Sequence, residues 1–160
     1  MDGTNKWGGL RMRAVLSGVA VTVLLGMVVL GVAAMANAQS TEFMALSAGA
    51  SVRIVEPADG ATVRSPVKVV FSVSGATIKP AGAPETGTGH HHLLIDTGPT
   101  PEGVVIGADA THLHFGKGQT ETTVELKPGE HTLTLQFADG LHRSYGPKMS
   151  HSIQIAVPGT

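Results

Sequence analysis

Apolar and polar side chains alternate along several short stretches after residue 50. The clearest runs extend from Val67 to Val73, from Thr120 to Leu126 and from His131 to Phe137. A period of two residues predicts strands with one buried and one exposed face. Because Pro128 and Gly129 form a turn signature between the last two runs, these two are predicted to pair as a hairpin.

About seven short strands, separated by turn residues, are predicted after residue 50, and the sequence there shows no helical period. This pattern is typical of an all-β protein. The length of the region fits an immunoglobulin-like antiparallel β-sandwich of about seven strands. We assign the sandwich domain to residues 51–158 and a linker, small and polar in composition, to residues 39–50.

The first 38 residues have the pattern of an export signal. A basic start precedes the apolar run from Ala14 to Ala34, and Ala36-Asn37-Ala38 matches the small-residue motif at which signal peptides are cleaved. We therefore predict a signal peptide over residues 1–38 and a periplasmic or secreted domain. Because the apolar run is long, an uncleaved membrane anchor that holds the domain outside the cytoplasm is the alternative. Met12 is an alternative start to Met1.

Composition narrows the classes of partner. The net charge is −1 and no basic block is present, so binding to nucleic acid is not expected, and membrane contact is expected only through an uncleaved N-terminal segment. The chain contains no cysteine. A disulfide framework, a thiolate metal site and a lipid anchor on cysteine are therefore excluded.

Histidine is over-represented, with eight residues that all follow position 89. In a strand, neighbouring side chains point to opposite faces, so His90 and His92 share one face and His91 lies on the other. His112 and His114 share a face in the same way. Each pair can present two imidazoles about 7 Å apart along one surface. If the two strands are neighbours, up to four imidazoles can converge.

Several convergent imidazoles suit zinc or copper, which prefer three or four such ligands. Asp96 and Asp109 are candidates to orient ring N–H groups of the ligands. The predicted ligands lie on two short segments and one loop: His90, His92, His112, His114 and His142.

Other interpretations of these histidines remain open at this stage. His91, His131 and His151 are interpreted as packing or edge residues rather than ligands. The other histidines could instead form a hydrogen-bonded cluster that braces long loops, in a structural module that binds an unknown partner protein at the cell envelope. A metal-dependent hydrolase is the least favoured reading because no general base stands out near the histidines, so no enzyme activity is expected.

Two histidine-containing segments, Thr88-Gly89-His90-His91-His92-Leu93-Leu94-Ile95-Asp96 and His112-Leu113-His114-Phe115-Gly116-Lys117-Gly118-Gln119-Thr120-Glu121-Thr122, resemble a bacterial family of secreted proteins known only as a domain of unknown function. The resemblance extends over about residues 51 to 157. It implies export and a compact domain, and it implies no activity. Some members have a further histidine at the position of Tyr145, which would alter the site if it were a ligand.

Overall fold

The computed structural model describes residues 45–159, all of which belong to one compact unit. The predicted signal peptide or anchor over residues 1–38 lies outside the described residues. No helix within residues 45–159 is long and apolar enough to span a membrane. The nine strands are β1 (Ser51–Glu56), β2 (Ala61–Thr62), β3 (Val67–Ser74), β4 (Thr77–Ile78), β5 (Thr88–Ile95), β6 (His112–His114), β7 (Glu121–Val124), β8 (Gly129–Ala138) and β9 (Ser150–Val157).

The prediction of an all-β fold is confirmed. Strands β1, β3 and β7 form a three-stranded sheet, and the second sheet has the order β2-β9-β8-β5-β4, with β6 also paired to β5. Two of the nine strands, β2 and β4, contain only two residues, so seven longer strands remain. Both two-residue strands pair in parallel, β2 with β9 and β4 with β5, which the antiparallel prediction did not include.

The two sheets pack face to face around one apolar core. Alternate residues of β3 enter it, as the period of two predicts, and they meet alternate residues of β5, β8 and β9 from the other sheet. The largest contributors with almost no exposed surface are Phe71, Leu93, Leu133, Leu135, Phe137, Tyr145, Met149 and Ile155. This core makes the six-stranded sheet a rigid platform for the residues on its other face.

The predicted hairpin between the runs at 120–126 and 131–137 is wrong. Strand β7 pairs with β3 in the three-stranded sheet, whereas β8 pairs with β5 and β9 in the other sheet. The turn at Pro128 and Gly129 therefore carries the chain across the core from one sheet to the other. The alternating pattern indicates which face of a strand is buried, but it does not indicate which strand lies beside it. Strands β7 and β8 both bury their apolar faces in the same core, from opposite sheets.

Residues 45–50 pack against the domain. Leu46 and Ala50 contact the core from outside the strands, and the carbonyl of Ala45 accepts a hydrogen bond from the Gly87 N–H at 3.0 Å. The C-terminal half of the segment predicted as a linker therefore contributes contacts to the sandwich.

Candidate metal centre

Strand β5 divides its three consecutive histidines between two faces. Side chains at alternate positions point to opposite sides, and all three imidazoles are fully buried. His91 enters the core, where its ring contacts Phe71 and Phe137 edge-on at centroid distances of 4.9 and 5.2 Å. His90 and His92 lie on the opposite face, and their Nε2 atoms are 3.1 Å apart.

Strand β6 brings the second histidine segment beside the first. The two strands are antiparallel, and His92 lies opposite His114. This is the neighbour relationship on which the predicted convergence depends, and it is confirmed. A fourth imidazole arrives from the turn after β8, where His142 Nε2 lies 3.2 Å from His114 Nε2.

Four imidazoles therefore converge on this face of the sheet. The distances between their ring centroids range from 4.7 Å, for His114 and His142, to 5.9 Å, for His92 and His142. Three of the residues, His90, His114 and His142, each offer a ring nitrogen within 4.8 Å of the other two. We name the four residues His90, His92, His114 and His142 the histidine cluster.

The spacing of these nitrogens suits a metal ion. With zinc–nitrogen bonds of 2.0–2.1 Å, two ligand nitrogens of a tetrahedral site are about 3.3 Å apart. The observed separations of 3.1 Å within the pair on β5 and 3.2 Å between His114 and His142 are close to that value. In the trio His90, His114 and His142, a nitrogen pair separated by 4.8 Å would have to approach by about 1.5 Å to reach that spacing.

Burial keeps His90, His92 and His114 neutral. Burial, followed by the nearby His114 and His142, lowers the pKa of His90 to about 4. Burial and the neighbouring His90 and His114 lower the pKa of His92 to about 3. The pKa of His114 is lowered as well, by burial and by His142. At neutral pH these rings are uncharged, which is the form that can donate a nitrogen lone pair to a metal.

The cluster is closed on the sheet side and open on the loop side. His90 and His92 have no exposed surface, whereas His114 is exposed and His142 is partly exposed. An ion would therefore reach the buried pair by passing the two imidazoles from β6 and from the turn.

His142 reaches the cluster because Asp139 shapes its turn. The fully buried carboxylate of Asp139 accepts hydrogen bonds from the backbone N–H groups of Leu141 and Arg143, at 3.0 and 2.9 Å, and from the Arg143 guanidinium at 2.7 Å. The turn holds His142 at a φ of 67°. Such a conformation is uncommon for a residue with a side chain and requires support from its surroundings.

His112 does not contribute its imidazole to the cluster. It lies opposite Leu94, and its Nδ1 donates to the carboxylate of Asp109 at 3.0 Å. The same carboxylate accepts a hydrogen bond from the Thr111 N–H at 2.7 Å. Asp109 therefore orients His112, a histidine that stands apart from the other four.

Asp96 lies at the far end of β5 from His90 and is paired with His131. Its Oδ2 is 2.9 Å from His131 Nδ1, and its Oδ1 accepts the Thr132 N–H. His131 also donates from Nε2 to the Lys127 carbonyl, so it braces the turn before β8. Asp96 therefore orients His131 rather than a residue of the histidine cluster.

His151 and Tyr145 have structural contacts. His151 Nδ1 accepts a hydrogen bond from the Ile54 N–H at 3.2 Å, which links β9 to β1 in the other sheet. Tyr145 is fully buried in the core, and its hydroxyl donates to the Thr88 carbonyl at 2.7 Å. The side chain at position 145 therefore lies outside the histidine cluster.

Two determinants of the site were missed by sequence reasoning, Asp139 and Gly116. Asp139-Gly140 is a turn signature three residues before His142, and it could have indicated that this histidine is held rather than mobile. Gly116 is significant because a Cβ at that position would overlap Cε1 and Nε2 of His114. No sequence pattern reveals that requirement, since it depends on how the ring folds back over the chain.

Comparison with known proteins places the domain in a family but supplies no activity. The family model described as "Domain of unknown function (DUF4399)" matches residues 69–158. This stretch contains all four members of the histidine cluster. No curated protein and no solved structure matches the chain. Because the matched stretch covers more than half of the chain, the protein belongs to the DUF4399 family.

Proposed function

We propose that this protein is an exported β-sandwich module that binds one transition-metal ion, copper or zinc, through its histidine cluster. The observation that carries the proposal is the placement of ring nitrogens from His90, His114 and His142 within 4.8 Å of one another, with His92 Nε2 3.1 Å from His90 Nε2. The chain contains no cysteine, so thiolate cannot be a ligand. Imidazole is a suitable ligand for both copper and zinc. The export signal predicted from residues 1–38 supports a periplasmic or secreted location.

The arrangement favours binding over catalysis. Hydrolysis at a metal centre needs a base that is free to accept a proton from bound water. The carboxylate that acts electrostatically on His90 is Asp139, and it is fully engaged by Leu141 and Arg143. We therefore propose a role in holding a metal ion, with no reaction at it.

Metal titration of the exported protein, purified after cellular processing and treated with chelator, tests the proposal. We expect one Zn²⁺ or Cu²⁺ per chain by calorimetry. His90→Ala and His114→Ala should each reduce affinity by more than the roughly 10–100-fold that loss of an outer-shell partner costs. His112→Ala is the matched control, because His112 lies on β6 two residues from His114 but is bonded to Asp109. Its affinity should equal that of the wild type.

Two results would contradict the proposal. The first is that wild-type protein binds neither metal. The histidine cluster would then have only a structural role, in which it holds β5, β6 and the turn after β8 together. In that case function lies on a partner-binding face, and His142→Ala should lower the melting temperature of protein that never contained metal. An equal loss of affinity in His112→Ala and His114→Ala would show that the cluster of four is not the site.

Copper should bind more tightly than zinc. Divalent copper lies above zinc in the general affinity order for nitrogen ligands, so a competition titration is expected to favour Cu²⁺. The metal carried in the cell depends on supply as well as affinity. Elemental analysis of protein isolated from its native compartment identifies it, and tighter binding of Zn²⁺ than Cu²⁺ in competition would contradict the expected order.

A further inference from the structure

The ring of His114 occupies space that only a glycine at position 116 leaves open. A Cβ on residue 116 would overlap Cε1 and Nε2 of that ring. Nε2 is the same atom that lies 3.2 Å from His142. Gly116 does not have the left-handed backbone that favours glycine, so the side chain of His114, rather than the backbone, requires glycine here.

A short loop is hydrogen-bonded to two turns, one directly after His114 and one directly before His142. We name residues 79–87 the strap. The Ala81 N–H donates to the Gly116 carbonyl at 2.9 Å, and the next residue, Gly82, donates to the Gly140 carbonyl, also at 2.9 Å. Two consecutive N–H groups therefore link the turn after His114 to the turn before His142.

The strap approaches the second turn closely as well. A Cβ at Gly140 would lie 2.6 Å from the Gly82 carbonyl oxygen and 2.8 Å from that of Ala83. These are backbone atoms, so a side chain at position 140 can be accommodated only if the strap or the turn moves. Gly140, like Gly116, has no left-handed backbone that would itself select glycine.

We propose that Gly116 and Gly140 are positioning residues of the metal centre that together fix the distance between His114 and His142. Gly116 acts by leaving room for the His114 ring, and Gly140 acts by allowing the strap to approach the turn before His142. This inference rests on the proposed function. The buried half of the cluster, His90 and His92, is held by β5, which is hydrogen-bonded to strands on both sides. In the exposed half, His114 ends the three-residue strand β6, which pairs with β5, and His142 lies in a turn outside the strands, so the strap supplies the link between these two residues. A preset ligand geometry lowers the ordering cost of binding.

Gly116→Ala tests the first positioning residue. The clashing atoms belong to the end of a side chain that can rotate toward solvent, so we expect the melting temperature of metal-free protein to change little. Zn²⁺ affinity should fall by about 10-fold or more, as for loss of an outer-shell contact. In metal-free protein, nuclear Overhauser contacts between the His114 and His142 rings should disappear. Gly107→Ala is the matched control, since a Cβ there meets nothing within 4 Å.

Gly140→Ala tests the second residue in two backgrounds. In the wild-type background we expect Zn²⁺ affinity to fall by about 10-fold. In a His142→Ala background, Gly140→Ala should cause no further fall in Zn²⁺ affinity, because the imidazole that Gly140 helps to position is no longer present. A purely structural role would lower affinity equally in both backgrounds, and that result overturns the proposal.

The measurements separate the two levels of inference. If wild-type protein binds no Zn²⁺ or Cu²⁺, the proposed function fails, and the ring contacts in metal-free protein still decide whether the glycines position the imidazoles. If wild-type protein binds metal but Gly116→Ala retains both full affinity and the His114–His142 contacts, the metal site stands and the positioning role is wrong.

Discussion

Chelator-treated protein is expected to lose at least about 3 kcal/mol of its free energy of unfolding between pH 7 and pH 4, which is the contribution of a single buried histidine. The cause is the fully buried row His90, His91 and His92 on β5. Burial is the largest cause of the lowered pKa in each, to about 4 for His90 and His91 and about 3 for His92, from a usual value of 6.5. A shift from 6.5 to about 4 in one group corresponds to about 3 kcal/mol at pH 4.

The sign follows from which state binds the proton. In the unfolded chain a histidine takes up a proton as the pH falls below about 6.5. In the folded protein the same nitrogen stays neutral until the pH reaches about 4. The unfolded state therefore binds more protons between these values, so stability is complete above pH 6.5 and falls progressively below it.

One histidine acts in the opposite direction. The pKa of His131 is raised, first by its hydrogen bond to the Lys127 carbonyl and then by Asp96. This interaction stabilises the fold below the unfolded pKa and is lost as the pH rises through the folded value. It is a single contribution against three buried groups, so the net slope should still show destabilisation by acid.

Urea unfolding at pH 7, 5 and 4 measures this effect, and His91→Leu is the informative variant. Both ring nitrogens of His91 are buried without a hydrogen-bond partner among the described residues, between Phe71 and Phe137. A leucine has a similar volume and lacks the two buried ring nitrogens that have no hydrogen-bond partner. It also removes one histidine whose pKa is lowered in the folded protein. We expect equal or greater stability at pH 7 and a shallower loss on acidification. An unchanged pH slope in this variant would exclude His91 as a source of the effect.

The division of the triple histidine could be predicted from sequence because it depends only on local geometry. Side chains in any strand alternate, so His91 had to separate from His90 and His92 whatever the neighbours were. The approach of β6 was a weaker prediction, and the structure confirms it through the pairing of His92 with His114. Both steps needed only the period of the strand and the identity of the paired segments.

The membership of His112 and His142 could not be decided in the same way. Strand β6 has only three residues, and His112 is the first of them. The carboxylate of Asp109, in the turn before the strand, accepts hydrogen bonds from the backbone N–H and the imidazole of His112. His142 enters from a turn whose shape depends on a buried carboxylate and on the strap. These contacts depend on the conformation of a turn or on residues distant in the chain. A pattern of residue types therefore does not show in which direction the imidazoles of His112 and His142 point.

Asp139→Ala is expected to be among the most destabilising single substitutions near the site, at about 3 kcal/mol or more. The carboxylate is fully buried and lies 2.6 Å from Arg143 Nη2, whose side chain is 24% exposed. Removal leaves the guanidinium without its partner and leaves the N–H groups of Leu141 and Arg143 without their acceptor. Loss of a partner from a buried pair costs more than the pair itself contributes.

Asp109→Ala is the matched control for this variant. Both aspartates precede a histidine by three residues, and each accepts backbone N–H groups from the turn that follows it. The side chain of Asp109 is 60% exposed, so water can replace its hydrogen bonds. We expect its loss to cost less than about 1 kcal/mol, with unchanged Zn²⁺ affinity because it orients His112 outside the cluster.

Chemical denaturation and metal titration together show whether Asp139 links stability to the site. Asp139→Asn keeps an oxygen acceptor for the two backbone N–H groups, although it removes the charge and replaces the acceptor opposite Arg143 with an amide NH2 group. Its loss of stability should therefore be smaller than that of Asp139→Ala, which removes both acceptors. If the turn positions His142, Zn²⁺ affinity should follow the same order: wild type, then asparagine, then alanine. An alanine variant that is strongly destabilised but, where folded, binds Zn²⁺ as tightly as the wild type would show that this turn supports the fold without orienting the ligand.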